Sequence, residues 1–245
     1  MFTSRITKTL SSQTADLLSI VLATALTFCL VYLCSKWEKL SLADIGIIPG
    51  KTTIQRFLGG YFIGLLMAAA QALTSSSFGH LQLTIASHIT ATYILLPFLL
   101  YFFVAGREEL VFRSYSLRSL DHSFSSLFAL IVITVIFILE HLVAGMTWKM
   151  AFIGSGLGGI LFGVAALRTK GLALPLGLHS AWNFGQWTVG FKNKPGIWVA
   201  VAKKGYEKQA ENTSLVAFVI VMLLAIAGVI LYYKPQPTPQ SNTQQ

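Results

Sequence analysis

The chain has 245 residues, of which 54% are hydrophobic and only 11% charged, with a mean hydropathy of +0.67. Soluble domains carry about a quarter charged residues, so a soluble globular fold is excluded. The formal net charge of +9 would suggest nucleic acid in a soluble protein. Here Lys and Arg fringe apolar stretches, as anionic headgroups and the positive-inside rule favour, and no basic-aromatic run offers a nucleic-acid surface.

The informative feature is where charge is missing. No Asp, Glu, Lys or Arg occurs between Asp16 and Lys36, Phe57 and Gly106, Lys149 and Arg168, Lys170 and Lys192, or Glu211 and Lys234. Each gap approaches or exceeds the roughly 20 residues a helix needs to cross about 30 Å of hydrocarbon. The first predicted span is Leu17–Cys34. It is too long for the apolar core of a signal peptide, and Ser35-Lys36-Trp37 is a poor cleavage site. Cys29 and Cys34 lie five residues apart, off a shared helical face, so no disulfide is expected between them. A polar stretch with the turn pair Pro49-Gly50 leads to span two, Phe57–Leu73. Thr74-Ser75-Ser76-Ser77 reads as a loop before span three, Thr90–Ala105. Span four is Ser126–Val143, span five Met150–Leu167 and span six Leu172–Val189. The glycines of span five, Gly159 and Gly163 above all, permit close helix contact and predict an interior position. A basic hydrophilic loop, Lys192–Asn212, precedes span seven, Leu215–Tyr233, and residues 234–245 form a polar tail of disorder-like composition.

The segments are apolar all round, without the period-two alternation of a barrel strand. The expected fold is therefore all-α: a polytopic transmembrane helix bundle of about seven spans (six to eight), forming one integral membrane domain over residues 1–245. Positive charge in the short loops after spans one, three and five puts that side in the cytoplasm and the N-terminus outside. The five lysines between Lys192 and Asn212 argue the reverse.

An ionisable group within a span costs roughly 2.5–3.5 kcal/mol on insertion scales, so each is a functional candidate. Glu108-Glu109 closes span three, with Arg113 four residues after Glu109 in the favourable order for an ion pair. Glu108 points about 100° away and is left free as a base. His141 lies deep in span four, next to a Glu140 to which no role can be given. His179 and Asn183 share one face of span six at i, i+4 spacing. His80 and His88 read as solvated interfacial residues. Peptide hydrolysis needs a water, a base, and donors where the carbonyl oxygen gains charge. Glu108 with His141 could activate the water, and His179 with Asn183 could receive the oxyanion.

Glu108-Glu109-x-x-x-Arg113, Phe137-x-x-x-His141 and His179-x-x-x-Asn183 resemble, in order and approximate spacing, the three motifs of the CPBP family. These are the CAAX proteases and bacteriocin-processing enzymes, also called the Abi family. The resemblance implies a CPBP-like catalytic core at about residues 90–190 and an intramembrane endopeptidase similar to the CAAX prenyl proteases. By the resemblance, Glu108 and His141 activate water, His179 and Asn183 stabilise the oxyanion, and Glu109 with Arg113 is structural support. Ser114, where the family commonly has Gly, and Glu140, where an uncharged residue is usual, depart from the pattern.

No cofactor is expected, since no His-Glu-x-x-His occurs and Asn is a poor zinc ligand. A zinc site of Glu108, His141 and His179 is the alternative. Expected partners are membrane lipids and a peptide or protein substrate, with a C-terminal lipidated or hydrophobic segment as one form. The expected location is a bacterial cytoplasmic (inner) membrane. The competing readings are a non-catalytic bacteriocin self-immunity or membrane scaffolding protein on the same fold, and a transporter using Glu and His as a proton relay. The transporter reading lacks the expected repeat and paired broken helices.

Overall fold

A computed structural model describes residues 12–192 and 195–234. The predicted polar tail lies, apart from Lys234, outside the described residues. Every predicted span is a helix. In chain order these are α1 (Ser12–Trp37), α2 (Thr53–Gly79) and α3 (Ala91–Glu108), then a π-helical segment (Glu109–Ser116) and the short α4 (Leu117–Ser123). They continue with α5 (Ser126–Val143), α6 (Trp148–Thr169, with a π turn at Ala151–Ser155), α7 (Ala173–Thr188) and α8 (Glu207–Tyr232). Five of them, α1, α2, α5, α6 and α8, are long and apolar enough to cross a membrane. The set is that of an integral membrane protein. The other two long helices, α3 and α7, carry Glu108 and His179.

Helix starts follow local chemistry. Thr90 Oγ1 accepts from the Tyr93 amide at 3.1 Å and Ser125 Oγ from the Phe128 amide at 3.3 Å, so hydroxyls cap α3 and α5. Pro175 sits in the first turn of α7, where its missing N–H costs nothing. The predicted loop Thr74–Ser77 is instead the last part of α2. Thr74 Oγ1 donates to Ala70 O and Ser75 Oγ to Gln71 O, so the hydroxyls bond back into their own helix and no break is needed.

The basic stretch Lys192–Asn212 is likewise not all loop. It contains β2 (Trp198–Ala202), which pairs antiparallel with β1 (Leu81–Ile85), Leu83 opposite Ala200, and its end forms the first turn of α8. The ribbon joins the end of α2 to the start of α8. His80 stacks on Tyr206 beside it, with ring centroids 4.1 Å apart.

Burial is uneven. The α1 side chains Leu18, Leu22, Leu26, Leu30 and Leu33 all point outward, as expected of lipid-facing residues. At the opposite extreme, α2 and α7 interlock through glycines on both sides. A Cβ on Gly64 would lie 2.6 Å from Leu178 O, and one on Gly177 only 2.2 Å from Phe57 O. Without a hydrophobic force between helices in lipid, such close backbone contact is what holds a pair together. The expected role of Gly159 and Gly163 is met against α5, where added Cβ atoms would meet Thr134 and Leu130. α8 closes the core, Phe218 and Met222 packing with Met67, Leu161 and Trp182.

Candidate active site

Glu108 ends α3 and Glu109 begins the π segment. Both are buried, with Arg113 fully so. Arg113 Nη1 lies 3.6 Å from Glu109 Oε1, so the expected pairing is present. None of the Arg113 nitrogens has a hydrogen-bond partner among the described residues. Three rings surround the guanidinium instead: its carbon sits 4.2 Å from the Phe137 centroid, with Phe112 and Phe162 at 5.5 and 5.6 Å. A desolvated cation over ring faces gains about 2 kcal/mol per good contact, which offsets part of the lost hydration.

His179, on the buried face of α7, is where the two acids meet. Its Nδ1–H donates to Glu109 Oε1 at 2.8 Å, and its Nε2 lies 3.7 Å from Glu108 Oε2. The ring stacks on Phe162 at 4.3 Å and 13°. Glu109 is therefore a partner of His179 as well as of Arg113, which the helix geometry alone did not suggest. An ionised carboxylate only accepts, so Glu109 fixes the hydrogen on Nδ1. The neutral ring then presents Nε2 as an acceptor, and the protonated ring presents it as a donor.

His141 is placed differently. It occupies the last turn of α5 with its Nδ1 at 2.8 Å from Phe137 O and 2.9 Å from Glu140 Oε2. Arg107 Nη2 lies 3.6 Å from both Glu140 Oε1 and Glu108 Oε1. Among the described residues no ion pair joins Glu108 to His141 directly. They are linked through Arg107 and Glu140. The conspicuous Glu140 thereby has a place, holding His141 on one oxygen and Arg107 on the other.

His141, His179 and Asn183 line one cavity of about 940 Å³, together with Phe137, Phe162 and Lys192. Glu108 borders a smaller cleft of about 170 Å³ with Arg107 and Glu140. Asn183 Oδ1 accepts from Lys192 Nζ at 2.8 Å. Lys192 was legible only as one more charge in a basic loop, and nothing in the sequence marked it as reaching back to α7. Ser114 is fully buried and donates to Leu110 O within the π segment.

Among the described residues no three His, Cys, Asp or Glu side chains converge as ligands of one metal ion. Glu108, His141 and His179 as placed do not fit the zinc alternative, because His141 turns to Glu140 while His179 engages both acids.

A membrane helix bundle with two glutamates and a histidine buried at one seam defines the class: an intramembrane protein with an acid–histidine site. A family model described as Type II CAAX prenyl endopeptidase Rce1-like matches residues 90–185, so that stretch is similar to this family. No curated protein and no solved structure gave a significant match.

Proposed function

We propose that the protein is an intramembrane endopeptidase that hydrolyses a peptide bond with a glutamate-activated water. The observation that carries this is the buried convergence of Glu108 and Glu109 on the two nitrogens of His179. Glu108 Oε2 and His179 Nε2 lie 3.7 Å apart, close enough for one water beside them to hydrogen-bond to both. As the water oxygen bonds to the substrate carbonyl carbon, its proton passes to Glu108 and the carbonyl oxygen becomes an oxyanion. Asn183 supplies the amide donor for that charge, with His179 as a second donor when protonated. The C–N bond then breaks, the nitrogen takes the proton from Glu108, and an acid and an amine leave. His141 lines the same cavity. Phe137, Met150, Phe162 and Phe218 in its lining favour a substrate with a hydrophobic or lipidated C-terminal segment.

The test is cleavage of a library of prenylated and unprenylated peptides by the detergent-purified protein, wild type beside Glu108→Ala and His179→Ala. Wild-type cleavage lost by at least about 100-fold in both variants is expected, the size of a general-base contribution. Undiminished cleavage in the variants would sink the site, and a silent wild type would sink the peptidase reading.

A further inference from the structure

Lys192 lines the cavity and belongs to none of the three motifs; Lys149, Glu207 and Glu211, the other charged residues of the lining outside those motifs, are exposed. Lys192 is held there by the backbone. Gly190 turns the chain at φ +79°, and a Cβ on it would lie 2.6 Å from Trp198 O, so only glycine fits both the turn and the approach of β2. The Phe191 amide donates to Gln186 O at 2.8 Å, tying the next residue to the end of α7. The Lys192 ammonium then reaches Asn183 Oδ1 at 2.8 Å and lies 5.6 Å from the centre of the Tyr101 ring on α3.

We propose that Lys192 is the positioning residue of the oxyanion site, fixing the Asn183 amide and setting a cation behind it. An ammonium has donors and no acceptor, so it can face only the amide oxygen. The Asn183 Nδ2 group is thereby turned the other way, and it has no described hydrogen-bond partner. A flipped amide would aim a carbonyl oxygen at the developing negative charge. The bond from a cation also polarises the amide, strengthening the hydrogen bond its N–H gives in a low-dielectric site. Burial pushes the Lys192 ammonium below its ordinary range, and the charge of Glu108 draws it back up. Glu108 is thus the acid whose charge acts on it, and Tyr101 the ring beside it.

The proposal rests on the peptidase reading, and one experiment separates the two. An internally quenched prenylated peptide is the probe, with kcat and KM measured for wild type, Lys192→Met, Asn183→Ala and the double variant. Losing an oxyanion donor costs about 100–1,000-fold in kcat. Lys192→Met is expected to lose kcat by about 10- to 100-fold with KM changed less than about twofold, the pattern of an interaction made in the transition state. The double variant is expected to be no slower than Asn183→Ala, since the two act as a unit. Lys192→Cys in a Cys29→Ser/Cys34→Ser background, treated with 2-bromoethylamine, rebuilds an ammonium at the same reach. Recovery of kcat there shows that charge and not folding was lost. Wild-type kcat in Lys192→Met, full additivity with Asn183→Ala, or no recovery on aminoethylation overturns the role of Lys192 while wild-type cleavage stands. No cleavage by the wild type overturns the reading beneath it.

Discussion

The two histidines of the cavity stand on opposite kinds of ground. His179 is 5% exposed, stacked on Phe162, bonded to Glu109 and carried on a helix whose glycines lock it to α2. The side chain of His141 is 20% exposed and that of its partner Glu140 38%, at the end of an outer helix. A polar group in a dry seam keeps one geometry because every alternative leaves a charge unpaired. One at an open edge can exchange its partner for water. The buried half should therefore set whether the protein folds and works, and the open half should tune it.

Four changes test that contrast, beginning with the largest effect. Gly177→Val places side-chain atoms where Phe57 O already lies within 2.2 Å of a Cβ, so α2 and α7 must part. Loss of the monodisperse, folded protein in detergent is expected, measured by size exclusion and thermal unfolding. Gly163→Ala is the control: its Cβ would meet only the tip of Leu130, which can swing aside. Next is Glu109→Gln, which leaves Arg113 without its counter-charge. Breaking a buried pair typically costs about 3–5 kcal/mol. A thermal midpoint well below wild type is expected, with recovery when Arg113→Met is added, and an unchanged midpoint would refute the buried-half argument. Glu140→Gln should be milder, because its side chain is partly open to solvent and the Phe137 carbonyl still holds His141. A kcat within about tenfold of wild type is expected, and a loss equal to that of His179→Ala would break the contrast.

The smallest effect is on the far side of α4. Glu38 accepts from Ser119 Oγ and Tyr115 Oη, both at 2.6 Å, and those bonds hold its carboxyl below the usual 4.5. A lowered carboxylate pKa contributes stability above the unfolded value and loses it as pH falls through the folded one. Glu38→Gln should thus lower the thermal midpoint slightly at pH 7 and have no effect once the pH is well below 4.5. A difference that persists in acid would show that the ion is not the cause.

The sequence made some of this plain and hid the rest for physical reasons. Charge-free gaps located every long helix except α5, which carries Glu140, since a hydrocarbon solvent leaves little freedom in what can cross it. The i, i+4 pairing of Glu109 with Arg113 was visible because it is local. Glu109 with His179 was not, because 70 residues separate them and only tertiary packing brings them together. Leu81-Gln82-Leu83-Thr84-Ile85 alternates with period two, but its partner strand lies inside a lysine-rich stretch whose composition is that of a loop. The same composition hides Lys192. Glycines gave a partial answer: those of α6 stood out by density, whereas the tighter contact uses Gly60, Gly64, Gly177 and Gly185, spread over two helices.

The wide turn at Glu109–Ser116 bears on how such a site can be inherited. In a regular helix one residue gained or lost rotates everything beyond it by about 100°, so single-codon insertions and deletions there are ruinous. A π-helical turn, bonded i to i+5, holds more residues than an α-helical one. Here it begins at the second acid, Glu109, and runs to α4, with Arg113 inside it. A change of length in the link to α4 can thus be taken up in a wide turn while Glu108 keeps its place at the end of α3.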